Sequence, residues 1–345
     1  MAAANLRDAS IRKLPFLETR GRHIVIAESG EPVRLRGVNL SGLEYSEPGT
    51  HGFLKAAKLT RAEVLRLTAM GCNILRVPFN QDWVLRGRGN FSGEDYLAAI
   101  DELMGWAVEG GAYTLLDLQW LDADTPRGGD RQFVAPLPNQ RSFNAWAKIA
   151  TRYHGCPCVL YDLFNEPHDR LPGDHISLFH PNGVAYRLPW RRKVYPHNWK
   201  EWAARLIDVI RQVHPLSVIF VSGTNWGYDL RKIKIPRANL VYSTHVYPDK
   251  RPGWDTAFGK LATTEPVFVG EFGGLERDLD WGRQLLDFMD ERELGWAAWS
   301  WRDQPHLQVD GKLTAFGALV AGRIMPQASG NTGSLAQNGE TLALS

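Results

Sequence analysis

The sequence predicts an α/β barrel, and three observations carry that expectation. Short apolar runs recur along the chain, and two of them, Val159 to Phe164 and Pro266 to Gly270, read as buried parallel strands. Each ends on polar residues that chemistry can use: Asn165-Glu166-Pro167 after the first, Gly270-Glu271-Phe272-Gly273 at the second. Between such runs lie segments with helical apolar spacing, so strand and helix alternate through eight βα units rather than a short solenoid repeat. The C-terminal strand ends of an α/β barrel are the usual place for chemistry.

Residues 1–34 are expected to form a lead-in and a hairpin. Residues 1–20 read as irregular, and His23 to Ala27 faces Val33 to Arg36 across a turn holding Gly30 and Pro32. This hairpin is expected to plug the barrel bottom. The first barrel strand follows over Leu35 to Leu40 and delivers Asn39. Thr60 and Glu63 make a capping box for a helix over 60–70, with Val64, Leu67 and Met70 on one face and Gly71 at its end. The second strand, Asn73 to Phe79, carries Arg76. A charge inside an apolar strand needs a partner, and a carboxylate at the barrel mouth is the expected one. A helix over 94–109 leads to the third strand, Tyr113 to Trp120, which delivers Gln119.

The loop from Leu121 to Asn139 is rich in Gly and Pro and is expected to shape a cleft. Its Asp122 and Asp124 read as solvated turn residues. A helix over 140–153 precedes the fourth strand, which Pro167 stops because it has no N–H to continue a ladder. An insertion then runs from His168 to His197, with Phe179, Tyr186, Trp190 and Tyr195 beside Arg187, Arg191, Arg192 and Lys193. Loops this long are usually functional, and this one is expected to cap one end of the cleft. Its basic cluster reads as solvated surface. His168, His175 and His180 lack the spacing of a metal site.

A helix over 199–214 and a fifth strand over 217–222 lead to Gly223-Thr-Asn-Trp-Gly227, where Trp226 is a candidate stacking platform. The sixth strand, Leu240 to His245, delivers His245, with Tyr247 just beyond. A helix over 280–293 precedes the eighth strand, Gly295 to Trp301. Strand alternation puts Trp299 and Trp301 on one face and Trp296 on the other. A helix over 314–324 closes the barrel domain, 35–325, and residues 326–345 read as a flexible tail rich in Gly, Ser, Asn and Gln.

The 345 residues are 44% hydrophobic and 23% charged, an ordinary globular balance that fits one barrel with long loops. A net charge of +2 points to neither nucleic acid nor an anionic membrane as partner. Residues 1–20 hold no apolar core of a signal peptide, and no apolar run reaches membrane length. The expected state is a monomer. Cys72, Cys156 and Cys158 read as buried thiols rather than a disulfide framework. Thirteen Trp is many for this length, and since Trp is seldom fully buried, some of the rings are expected to line a cleft.

Two carboxylates converging on one mouth are what glycoside hydrolysis needs. Asn165-Glu166-Pro167, Gly270-Glu271-Phe272-Gly273 and their order resemble glycoside hydrolase family 5, which holds endoglucanases, mannanases and related retaining β-glycosidases on a TIM barrel. The resemblance runs through motifs from about residue 35 to 305. It implies a carbohydrate substrate, no cofactor and no metal. It implies that Glu271 attacks the anomeric carbon and that Glu166 serves as acid and then base. Arg76 and Tyr247 would keep Glu271 ionised, Asn165 would bond the sugar 2-OH, and His245 would orient Glu166 or Tyr247. Trp299 would floor the reacting sugar, with Trp301 adding to the wall, and Asn39, Gln119 and Trp226 would complete the substrate contacts.

One position departs from the family pattern: Gln119 stands where a His is usual. Gln donates and accepts hydrogen bonds but carries no proton. Retention implies two carboxyl groups about 5–5.5 Å apart. The segment Gly37-Val-Asn-Leu-Ser-Gly-Leu-Glu44 is similar to an endoglucanase first strand, so a β-1,4-glucan cut internally is the first expectation. An exo-acting or transglycosylating β-glycosidase on small glycosides or on another β-glycan such as mannan is the alternative. A non-catalytic glycan-binding protein on the same barrel is the alternative of another class. A metal-dependent barrel hydrolase lacks a clustered ligand set in the sequence. The resemblance favours an extracellular enzyme, although the chain shows no signal peptide.

Overall fold

The chain opens with an antiparallel pair, β1 (Leu17–Arg20) and β2 (His23–Ile26). Gly21 makes the two-residue turn, at a φ of 56° that favours glycine. The hairpin therefore starts earlier than the sequence suggests. The arm after Gly30 still returns along β2, with Val33 N–H donating to Ile24 O and Ile26 N–H to Glu31 O, but its only bridge is Val25 to Pro32. In this computed structural model, residues 14–121, 135–169, 196–250 and 253–324 are described, together with two short strands inside the insertion.

The barrel is built from β3 (Arg36–Asn39), β4 (Ile74–Asn80), β5 (Tyr113–Trp120) and β6 (Val159–Asp162). The insertion contributes the antiparallel pair β7 (Ile176–Phe179) and β8 (Ala185–Leu188). The barrel resumes with β9 (Ile219–Ser222), β10 (Leu240–Val246), β11 (Val267–Phe272) and β12 (Gly295–Ala298). All eight neighbours pair in parallel, and β12 pairs with β3 to close the ring. This is the expected (β/α)8 barrel. A two-stranded ribbon, β13 (Gln308–Val309) and β14 (Lys312–Leu313), precedes the closing helix Ala315–Ile324.

Helix starts follow their caps. The Thr60 hydroxyl accepts from Glu63 N–H ahead of helix Arg61–Ala69, and Ser92 with Asp95 forms a full capping box ahead of helix Gly93–Glu109. Helices Gln140–Arg152, Pro196–Val213 and Leu279–Glu291 lie where apolar spacing puts them. The eight-unit count needs one correction. The link from β9 to β10 holds no helix, and among the described residues the link from β10 to β11 holds only a π-helical turn, Asp255–Gly259, and a 3-10 turn, Leu261–Thr263. Among the described residues, no helix is long and apolar enough to cross a membrane.

Two apolar clusters hold this frame. The larger fills the space between barrel and helices. The smaller fills the barrel itself: Leu35, Ile74, Leu115, Leu160, Phe220, Val241, Phe268 and Ala297 point inward, and Leu17 and Ile24 of the hairpin close it from below. The hairpin is therefore the bottom plug, tied on by Thr19 N–H donating to Asn239 Oδ1 and by the Tyr113 hydroxyl donating to Pro15 O. Seven of the thirteen Trp serve the outer core, where Trp83, Trp146, Trp199, Trp202, Trp254, Trp296 and Trp301 are buried. The cysteines are buried thiols. The proposed tail and most of the insertion, including its basic cluster, lie outside the described residues, as do Asp122 and Asp124.

Candidate active site

One step above the apolar plug, the inward positions turn polar. Strand alternation carries Ile74 to Arg76 on β4, Leu115 to Asp117 on β5, Leu160 to Asp162 on β6, Phe220 to Ser222 on β9 and Val241 to Ser243 on β10. All five polar residues are fully buried. Arg76 is the hub. Its Nε donates to Asp162 Oδ2 at 2.9 Å, Nη1 to Glu271 Oε1 and Asn39 Oδ1 at 2.8 Å each, and Nη2 to Asn165 Oδ1 at 2.9 Å. Asp117 Oδ1 stands 3.0 Å from Nη2. The guanidinium is the one side chain whose fixed fork can serve so many acceptors at once.

Two bulges aim the layer above. Between β4 and β5 the register passes from Phe79–Leu118 to Asn80–Trp120, so Gln119 is the extra residue. Between β10 and β11 it passes from Thr244–Val269 to His245–Glu271, so Gly270 is the extra residue. A bulge inserts one residue and turns the next side chain, which is how Glu271 comes to lie opposite His245. Gly270 has no room for more: a Cβ there would sit 2.4 Å from Ser243 Oγ and 2.9 Å from His245 Nε2. Gly227 bounds His245 on another side, where a Cβ would come within 2.9 Å of the ring.

The result is a compact trio. His245 Nδ1 lies 2.9 Å from Glu166 Oε1 and 3.7 Å from Glu271 Oε2. The Tyr247 hydroxyl donates to Glu271 Oε2 at 2.8 Å. One oxygen of Glu166, one of Glu271 and a His245 nitrogen lie within 4.8 Å of one another. Sequence spacing gave no clustered ligand set, yet the fold makes this one, and its donor atoms are of a kind that holds divalent metals. Its atoms are already engaged: Glu271 is bonded on both oxygens by Arg76 and Tyr247.

The two carboxyls sit in different surroundings. Burial pushes Glu166 up to about 7, against the pull of Arg76 and Lys250. Burial also raises Glu271, while His245, Arg76 and the Tyr247 hydrogen bond pull it back down. Arg76 and Tyr247 thus act in the expected direction, but burial outweighs them. Burial lowers His245 to about 4, so its ring is neutral at neutral pH. Tyr247 is raised well above the usual phenol range by burial and by both glutamates.

The other expected contacts divide. Asn165 and Arg76 touch each other, and Arg76 lies wholly beneath the site. Asn39 is not placed to meet a ligand. It is fully buried, its Nδ2 donates to Gly270 O and Ala297 O, and its Oδ1 accepts from Arg76. Gln119 is 8% exposed, and its Oε1 has no hydrogen-bond partner among the described residues. Trp299 is half-buried beside the site, with its Nε1 donating to Gln304 O. Trp301 is not in the cleft wall: its ring lies under Arg66 and its Nε1 is 3.4 Å from Glu63 Oε1, on the helix side of the barrel. The strand ends at Ala298, and the alternation ends with it. Trp226 has one face taken by His168, stacked at 3.6 Å with the rings 9° apart.

Sequence reasoning missed four participants. Asp117 and Asp162 complete the charge layer around Arg76. The signal was available, since each shares an inward face with an already suspected strand. His168 Nδ1–H donates to Glu166 O at 2.6 Å and so ties the residue after Pro167 back to Glu166. Glu44 is buried after β3, accepts from Gly42 N–H, and is pushed by burial to about 8.

Known proteins resemble this chain throughout the barrel. The profile of the family described as cellulase (glycosyl hydrolase family 5) matches residues 26–305. Endoglucanase E-5 of Thermobifida fusca is 25% identical over 295 residues, covering 80% of this chain and 53% of the relative. The chain spans between half and two-thirds of the length of that protein and of the major extracellular endoglucanase of Xanthomonas campestris. Among solved structures, an endocellulase from Pyrococcus horikoshii, in complex with cellotetraose, is 25% identical with a TM-score of 0.67, covering 90% of this chain and 98% of that one. A β-glucanase from Saccharophagus degradans shares the fold at 22% identity and a TM-score of 0.70, covering 92% and 95%. With a match over most of its length and the same barrel, the chain belongs to glycosyl hydrolase family 5 and is a glycoside hydrolase.

Proposed function

We propose that this enzyme cleaves a β-1,4-linked glucan internally, with retention, by double displacement. The observation that carries the reading is the pairing of Glu166 and Glu271, with oxygens within 4.8 Å and unlike surroundings. A retaining pair stands about 5–5.5 Å apart, whereas an inverting pair leaves room for water at about 6.5–9.5 Å. Glu271, held on both oxygens by Arg76 and Tyr247, is the nucleophile. Glu166, raised to about 7, keeps a proton for the leaving oxygen and later takes one from water. Neutral His245 holds Glu166 in place at 2.9 Å. With Asn165 Oδ1 engaged by Arg76, its amide N–H is the group left to meet the sugar 2-OH. Gln119 offers its amide N–H to another sugar hydroxyl, and Trp299 and Trp226 supply apolar platforms.

The choice of glucan is supported by the relatives named endoglucanase and by the cellotetraose-bound neighbour. The test is reducing-sugar release from soluble β-glucans, mannan, xylan and xyloglucan, with the first-formed anomer followed by NMR. The expected result is release from a β-1,4-glucan with a β product, and a loss of about 10³-fold in Glu271→Ala and in Glu166→Ala. An α first product would overturn retention. Activity abolished by a chelator and restored by a divalent metal would instead assign the trio to a metal. Binding without release from any substrate would leave a glycan-binding barrel.

A further inference from the structure

One guanidinium at the barrel centre faces three carboxylates. Arg76 is within 3.0 Å of Asp117, 2.9 Å of Asp162 and 2.8 Å of Glu271, and all four groups are buried. If all three acids were ionised, the layer would carry two uncompensated negative charges away from water, which is costly. One acid must therefore yield its charge, and hydrogen bonding distinguishes them. Asp162 accepts from Arg76 Nε and from Ser222 Oγ. Glu271 accepts from Arg76 Nη1 and from Tyr247. Neither oxygen of Asp117 receives a hydrogen bond among the described residues, and the nearby Nη2 is directed at Asn165.

We infer that Asp117 is a positioning residue that stands as a neutral carboxylic acid under the cleft, filling the third side of Arg76 without drawing its charge from Glu271. The charged groups facing it come from every element around it: Arg76 on β4, Asp162 on β6, Glu271 on β11 and Glu44 after β3. Burial pushes the Asp117 carboxyl well above the usual range, and Asp162, Glu271 and Glu44 add to that against Arg76. The inference rests on Glu271 as nucleophile for its catalytic meaning. The protonation state itself does not.

The experiment compares Asp117→Ala, Asp117→Asn and Asp117→Ser with the wild-type enzyme. Ala opens a space beside Arg76, and kcat is expected to fall about 10- to 100-fold with KM changed less than threefold. Asn, which matches a neutral acid in shape and charge, is expected to restore most of that loss. The acidic limb of the kcat/KM profile in Asp117→Asn should stay within about 0.3 pH unit of wild type. An ionised Asp117 would instead let that limb fall by about a unit or more when its charge is removed, and that result overturns the inference. The infrared difference between wild type and Asp117→Asn at pH 7 gives a second readout. A lost protonated-carboxyl band supports the inference, and a lost carboxylate band overturns it. Failure of both Asn and Ser variants to fold would overturn it too, because a site already neutral tolerates a neutral side chain. If Glu271→Ala keeps full activity, the nucleophile assignment fails while the infrared result still reads Asp117.

Discussion

Glu166, the proposed acid, shows how burial sets a carboxyl. Its carboxyl rises from an ordinary 4.5 to about 7, so the folded protein holds the proton more tightly than the unfolded chain. The stabilisation tied to that proton is fully present below the unfolded value and is lost as pH rises through about 7. Glu166→Gln removes the titration. Its stability relative to wild type should be near zero at pH 4 and reach about 3 kcal/mol in favour of Gln at pH 8 and above, measured by urea unfolding at both pH values. Equal differences at the two pH values would place the raised carboxyl elsewhere. Under the proposed mechanism the same proton goes to the leaving oxygen, so kcat/KM should decline as pH passes about 7. The glutamates themselves were readable in the sequence because each closes an apolar run. The residues that tune them were harder to read. Asp117 and Asp162 are ordinary acids in a sequence, and only barrel closure places them on the same guanidinium. Asn39 was expected at the substrate from the resemblance of its strand, whereas its side chain is bonded to two backbone carbonyls and Arg76.

At the level of elements, periodicity located strands and capping located helices, but neither registers a bulge. β5 was bounded correctly as Tyr113 to Trp120 because apolar residues dominate the run, while the extra residue at Gln119 left no mark in that pattern. The missing helix between β9 and β10 has a similar cause: the eight-unit expectation came from strand count, and residues 223–239 carry turn chemistry rather than helical spacing. The bulge at Gly270 is the one on which the site depends. A methyl group there meets Ser243 Oγ at 2.4 Å and His245 Nε2 at 2.9 Å, and His245 cannot retreat because Gly227 lies behind it. Gly270→Ala should therefore displace His245 from Glu166. The expected outcome is a folded barrel, with unchanged far-UV circular dichroism, whose kcat is down at least about tenfold. Full activity in that variant would show that the His245–Glu166 contact is not needed at its present distance.

Across the whole molecule, the barrel interior is graded from oil to charge. The hairpin and the inward ring around Leu115, Leu160 and Phe268 make the dry lower half, the Arg76 layer follows, and the glutamates stand above it. This order separates what holds the fold from what performs the reaction, the division usual between the two ends of such barrels. Leu17 offers a direct test. It is 4% exposed and packs into the lower cluster from β1, with the whole charge layer between it and Glu271. Leu17→Ala leaves a cavity under the barrel and should cost about 2–4 kcal/mol of stability. Because the strands that carry Glu166 and Glu271 are fixed by their own pairing and by Arg76, kcat/KM per folded molecule should stay within about twofold of wild type. Unfolding and activity measured on the same preparation decide the matter. A lowered midpoint with intact turnover is expected. A matching loss of turnover in protein that remains folded would mean that the plug also sets strand tilt at the top, and that the two halves of the barrel are mechanically one.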